Sequence, residues 1–211
     1  MSGGYRALPH NFFDRDAETV ARQLLGALLV SDCGGVRCVG RIVETEAYPG
    51  PHDPASHAAA AIGRTRRNEP MFGPPGTAYI HLNYGVHWCL NVVVGPADYP
   101  AAVLLRALEP REGLEAMRDR RASRPDRQLT SGPAKLTQAL GVGPELQGHP
   151  LGSEPLFVAE GEELAPRDVG TSARIGIRKG ADRQWRFYDR RSSFVSRGTP
   201  GRPGRRRGRG K

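Results

Sequence analysis

The chain has 211 residues, 38% of them hydrophobic, enough for one domain with a substantial core and too few for two domains of ordinary size. Its formal net charge is +9, yet seven basic and no acidic side chains fall between Arg197 and Lys211, so residues 1–196 form a nearly neutral body and 197–211 a basic tail. No apolar run is long enough to cross a membrane and no leader-like segment opens the chain, so a membrane partner is excluded from the expectation and a reducing cytoplasm is the expected location.

The tail, built from Gly, Pro and Arg, cannot bury a core; it reads either as a solvated arm attracted to phosphate or as a charge run with no dedicated partner. Of the 31 basic residues only Lys135, Lys179 and Lys211 are lysines, which leaves few amines able to form a Schiff base.

In chain order, Phe12 to Leu25 has helical spacing, with Asp14 or Asp16 as the cap and Gly26 as the stop. Two extended segments, Ala27 to Ser31 and Val36 to Glu46, flank Gly34-Gly35 and predict a hairpin in which residue 31 faces residue 38. That register leaves Cys33 and Cys38 diagonal, a poor disulfide geometry, while Cys89 sits in an apolar strand as a core residue. Residues 50–75 lack periodicity and predict a long functional loop carrying Arg64, Arg66 and Arg67.

A second hairpin is expected over Thr77 to Val94, then a strand over Ala101 to Leu108 stopped by Pro110, and a helix over Arg111 to Ala122 leading into a polar stretch, Ser123 to Gln128. Ser131-Gly-Pro predicts a helix start with backbone N–H groups at the surface and Lys135 one turn in, suited to a phosphate or simply an ordinary cap. Shorter strands are expected at Leu156 to Ala159, Ala173 to Ile177 and Arg186 to Tyr188. Hairpins outnumber crossover helices, which predicts a single α+β domain with an antiparallel sheet.

Two strands carry charges where apolar residues are expected. Alternation along Val36 to Glu46 puts Val36, Cys38, Ile42, Glu44 and Glu46 on one face, where two carboxylates need a compensating partner. Arg106, inside Val103-Leu-Leu-Arg-Ala-Leu, is the natural one, because a buried guanidinium demands a carboxylate. On residue type alone a plain buried ion pair is the favoured reading. The group His52, Asp53 and His57 suggests a metal site only weakly, since its spacing matches no familiar helical zinc motif.

The segments Arg41 to Gly50, Thr77 to Asn91, Val103 to Pro110, Leu129 to Leu140, Ala173 to Ile177 and Arg186 to Tyr188 together resemble, in order, the alkyladenine (3-methyladenine) DNA glycosylase family, the type without a helix-hairpin-helix motif. The resemblance implies a curved, partly barrel-like sheet with peripheral helices and a protruding hairpin. It implies that Glu46 is the base that activates water, that Arg106 holds that water and the carboxylate, and that Glu44 stands behind them. Tyr48, His57 and His81 then wall a pocket for the flipped base, with Asn91 approaching its edge. At His81 the chain departs from members that carry tyrosine, and an imidazole there stacks less area and can take a proton below neutral pH.

A three-residue loop, Asn83-Tyr84-Gly85, would put His81 and Asn91 on one face and Tyr84 at the tip as a wedge for the DNA, with Lys135, Arg64, Arg66 and Arg67 on phosphates. The implied partner is double-stranded DNA containing damaged bases, bound by a monomer with no cofactor and no metal. The competing classes are a non-enzymatic nucleic-acid-binding module that relies on the tail and a metal-dependent hydrolase built on His52, Asp53 and His57.

Overall fold

The computed structural model describes residues 4–200; the basic tail beyond Pro200 lies outside them. Two short helices open the chain, α1 (His10–Phe13) and α2 (Ala17–Gln23). The single helix expected over Phe12 to Leu25 is broken because Asp16 takes the cap position, its carboxylate accepting from Thr19 N–H at 2.8 Å, and the chain must turn before it. Strands β1 (Leu28–Ser31) and β2 (Cys38–Tyr48) follow. Ser31 does face Cys38, as expected, but the connection is a wider turn with a 3-10 segment at Cys33–Gly35 rather than a two-residue loop, and neither Cys33 nor Cys38 is in a disulfide.

After the long loop come β3 (Ala78–Asn83), β4 (His87–Val94) and β5 (Ala101–Glu112), then α3 (Leu114–Arg120), α4 (Asp126–Leu129) and α5 (Pro133–Leu140). Among the described residues four short strands follow: β6 (Gly152–Ser153), β7 (Leu156–Ala159), β8 (Val169–Ser172) and β9 (Arg186–Asp189). Strand β5 runs through Pro110 instead of stopping there, because Pro110 faces Gly40 at a register shift where a ladder N–H is dispensable. Gly40 is needed at that point, since a Cβ would lie 2.8 Å from the Leu108 side chain. Helix α4 occupies part of the stretch read as polar loop, and α5 begins at Pro133 with Gly132, not Ser131, in the cap position. The strand expected at Ala173 to Ile177 falls earlier, at Val169–Ser172.

All strand pairs are antiparallel, in the order β3-β4-β5-β2-β1-β7-β6, and β9 adds to β2 with β8 beyond it. One edge of β2 is therefore shared, β1 pairing with Cys38 to Arg41 and β9 with Glu44 to Glu46. The sheet forks there and curls into a half-barrel, the α+β single-domain architecture expected. Its main core packs Val20, Ala21, Leu24, Ile42, Ala47, Leu105, Leu108, Met117, Leu136 and Phe187 between the sheet and α2, α3 and α5.

The fork is where strict alternation fails. Ile42 faces Leu108, Glu44 faces Ala107 and Thr45 faces Leu105, so Val43 is an extra residue in β2 and Arg106 an extra residue in β5. Ile42 and Ala47 both face the main core, and Thr45 donates to Ala21 O at 2.8 Å. Glu44 and Glu46 thus share a face, as expected, but it is the face opposite Cys38 and Ile42, and Val36 lies outside the strand, half exposed. The two bulges turn a pair of carboxylates away from the apolar core and toward a cavity, with Arg106 between them.

Candidate active site

A cavity of about 350 Å³ opens between β2, β3, β4 and β5 and the long loop. Its lining includes Tyr48, His57, Tyr79, His81, Asn91 and Arg106, with Tyr84 at the mouth. Behind this lining lies a charged floor. Glu44 is fully buried: its Oε1 accepts from Arg106 Nε at 2.8 Å, Arg186 Nε at 2.7 Å and the Ser196 hydroxyl at 2.9 Å, and its Oε2 accepts from Ser196 N–H at 2.7 Å. Burial raises its carboxyl, but Arg106, Arg186 and the Ser196 amide outweigh that and hold it below the ordinary glutamate range.

Glu46 is also fully buried and differs in its surroundings. Its Oε1 accepts from Ile175 N–H at 2.7 Å and lies 3.2 Å from Arg106 Nη1; its Oε2 accepts from the Tyr48 hydroxyl at 3.0 Å. Burial is the largest influence and the nearby Glu44 adds to it, so Glu46 is pushed above the ordinary glutamate value despite Arg106, the amide and the phenol. Two carboxylates two residues apart are thereby separated in acidity, Glu44 shifted toward its ionised form and Glu46 toward its protonated form. Tyr48, driven well above its ordinary value by burial and by Glu46, remains a hydrogen-bond donor.

The walls are neutral aromatic rings. His57 and His81 meet edge to face with centroids 4.4 Å apart, and Tyr79 stacks on His81 at 5.5 Å. His57 Nδ1 lies 3.0 Å from the Tyr79 hydroxyl. Asn91 Nδ2 lies 3.0 Å from Tyr79 O, which can only accept, so the amide is oriented, and its second proton points at His81 Nδ1 at 3.1 Å. His81, accepting at Nδ1, is therefore the Nε2–H tautomer, while Asn91 Oδ1, with no hydrogen bond among the described residues, is left as an acceptor on a residue that lines the cavity. Burial, with the charges of His57 and Arg67, pushes His81 down to about 3, and the same surroundings lower His57. The proton expected on His81 just below neutral pH is thus disfavoured. Cys89, expected as plain core, also lines the cavity, its thiol pushed up to about 11 by burial.

The β3–β4 loop has three residues, and Tyr79 faces Asn91, so His81 and Asn91 share a face. The loop is Tyr84-Gly85-Val86, one residue later than expected, because Asn83 pairs with His87. Tyr84 takes a left-handed conformation (φ 51°) and is 83% exposed, with Val86 68% exposed beside it. Arg67 donates to Leu82 O at 2.8 Å, tying the long loop to this hairpin. Arg64 is bound to Glu69 at 2.6 Å and to Asp98 at 3.1 Å, and stacks on Phe72, so its charge is already matched. Arg66 is exposed, with no side-chain hydrogen bond or ion pair among the described residues. Lys135 lies two residues after Pro133, which lines the cavity.

The suggested metal group does not assemble. Asp53 is fully buried and spends both oxygens on Arg174, 2.8 Å from Nη2, while His57 turns to Tyr79 and His52 lies near Tyr99, 3.3 Å from its hydroxyl. Sequence reasoning missed Arg174, Arg186, Tyr79, Ser196 and the Ile175 amide. A buried arginine in Arg186-Phe-Tyr could have been flagged by the logic that singled out Arg106, but the backbone amide leaves no trace in residue type.

A family model for methylpurine-DNA glycosylase matches residues 11–193, which contain the entire cavity, and the chain belongs to that family. A relative from Carboxydothermus hydrogenoformans is 46% identical over 191 residues, covering 90% of this chain and 98% of its own. One from Rhizobium meliloti is 49% identical over 188 residues, covering 89% and 95%, and one from Salinibacter ruber 46% identical over 203 residues, covering 92% and 98%. All three carry the name "Putative 3-methyladenine DNA glycosylase".

Proposed function

We propose that the protein is a DNA repair N-glycosylase that draws an alkylated purine out of duplex DNA and hydrolyses its glycosidic bond, leaving an abasic site. The observation that carries this reading is the pairing of a ring-walled cavity with a buried carboxylate, Glu46, pushed above the ordinary glutamate value beside one, Glu44, held below it. The extruded base stacks between Tyr48 on one side and His57 and His81 on the other, with Asn91 at its edge. 3-Methyladenine and 7-methylguanine carry positive charge, and uncharged histidine rings take such a base without repulsion. Hypoxanthine and ethenoadenine are the candidate neutral substrates.

Glu46 accepts a proton from a water that attacks the sugar C1′ as the base departs, through a transition state with oxocarbenium character. Arg106, donating to Glu44 and facing Glu46, favours the ionised form of both carboxylates and offers a donor at the cavity wall. Because the alkylated base leaves as a neutral molecule, no strong acid is required on the protein. Among the described residues no lysine lines the cavity, which supports hydrolysis without a Schiff base and so without strand cleavage. Tyr84 enters the space left by the base, and Arg66, Arg67 and Lys135 meet phosphates around the mouth. One molecule of enzyme acts per lesion.

Release of free base is measured from oligonucleotides bearing 3-methyladenine, 7-methylguanine, hypoxanthine or ethenoadenine, with chelator present. Release of at least one alkylated purine without strand cleavage is the expected result. No release from any of the four, or release abolished by chelator, contradicts the reading.

A further inference from the structure

Asp53 and Arg174 take no part in the chemistry described above, yet they are the most completely enclosed ion pair in the described residues, both side chains having no exposure. Asp53 is pinned at the start of the long loop, its N–H donating to Gly50 O at 3.1 Å and its Oδ1 accepting from Ala55 N–H at 3.0 Å. Arg174 answers with a two-point contact and extends Nη1 to Ala47 O at 3.0 Å, on the strand that carries Glu46. Its guanidinium carbon lies 4.5 Å from the centre of the Tyr48 ring and 5.0 Å from that of Trp185. The next residue, Ile175, supplies the N–H that holds Glu46.

A buried ion pair is weak evidence of stabilisation, because an apolar pair of equal volume is often as stable. A planar guanidinium does fix directions, and this one fixes three: toward the loop that bears His57, under Tyr48, and along the backbone to Ile175. We propose that Asp53 and Arg174 are positioning residues that jointly set the Tyr48 ring on which the base stacks and the Ile175 amide that orients the Glu46 carboxylate. This inference rests on the glycosylase reading above. The groups that face Glu46 are Arg106 from β5, Glu44 and Tyr48 from β2, and the Arg174–Ile175 segment. Arg174 and Glu46 attract one another, so loss of the cation and slackening of the amide both disfavour the ionised base.

Base release under single-turnover conditions is followed against pH for three forms of the full chain: wild type, Arg174→Lys, and the charge-neutral double variant Asp53→Asn with Arg174→Gln. The double variant is expected to lose about 10²-fold in rate, the scale of a small misplacement of reacting groups, with its acid limb moved to higher pH. Arg174→Lys keeps the charge and loses the flat stack and the fork, so it is expected to fall between the two with its acid limb in place. A folded double variant with wild-type rate and limb overturns the proposal, as does Arg174→Lys at full rate. Absence of base release from the wild type instead overturns the glycosylase reading itself.

Discussion

On the charged floor behind the cavity lining Glu44, Glu46, Arg106 and Arg186 are buried and each is held by at least two partners, whereas at the rim Tyr84 and Val86 are 83% and 68% exposed and Tyr84 makes no side-chain hydrogen bond among the described residues. The floor draws its groups from β2, β5 and β9 and from the segment around Ile175 and Ser196; the rim is a single hairpin tip and one loop. Such a division suits an enzyme that must present fixed dipoles to a transition state while its mouth adapts to a deformed duplex. Changes to the floor should alter the rate or the fold, and changes to the rim should alter which DNA is processed.

The largest effect is expected at Glu46. Glu46→Gln should lower single-turnover base release by about 10² to 10⁴, the usual contribution of a general base, with lesion-DNA affinity changed by no more than about threefold. Glu44→Gln should be damaged differently: it leaves Arg106 and Arg186 short of a counter-charge in a buried site, a loss of about 3–5 kcal/mol in unfolding free energy, measurable by denaturant titration. If Glu44→Gln kept full stability while Glu46→Gln unfolded, the roles of the two carboxylates would be reversed.

At the rim, Tyr84→Ala should impair excision far more for a stably paired lesion than for the same lesion in single-stranded or mismatched DNA, where less stacking has to be replaced. Equal losses on both substrates together with a large drop in Tm would move Tyr84 into the core. Smaller still, Arg66→Ala and Arg67→Ala should each flatten the logarithmic salt dependence of DNA binding by about 0.9, while Arg64→Ala, already matched by Glu69 and Asp98, should leave the slope unchanged.

Much of the site was legible because a charge in an apolar strand has few explanations: Arg106 and the Glu44–Glu46 pair stood out on that ground alone, and the resemblance assigned their roles. What was not legible depended on register and on distance along the chain. The bulges at Val43 and Arg106 reverse the faces of β2 without any marker in residue type, so alternation grouped the carboxylates with Cys38 and Ile42. Arg186 reaches Glu44 across 142 residues and Arg174 reaches Asp53 across 121, pairings that no local pattern encodes. Asp53 was consequently visible only as part of a weakly suggested metal group, and its partner Arg174 went unseen. The break between α1 and α2 was hidden because Asp14 and Asp16 are both plausible caps, and it is Asp16 that takes the position and accepts from Thr19 N–H.

His81 offers a check on folding rather than catalysis. Its value of about 3 lies below the ordinary 6.5, so as pH falls through that window the unfolded chain takes up a proton that the folded chain refuses. Its contribution to stability is complete above about pH 6.5 and is lost toward pH 3, and His81→Phe should lose less stability than wild type over that range.

The poised carboxylate is tested most directly by the acid limb of single-turnover 7-methylguanine release, since that lesion keeps its positive charge as the pH falls and the limb reports the protein. The limb is expected above the ordinary glutamate value of 4.5, set by Glu46, and to vanish along with most of the rate in Glu46→Gln. A limb at or below that value, or one that persists unchanged in Glu46→Gln, would contradict it.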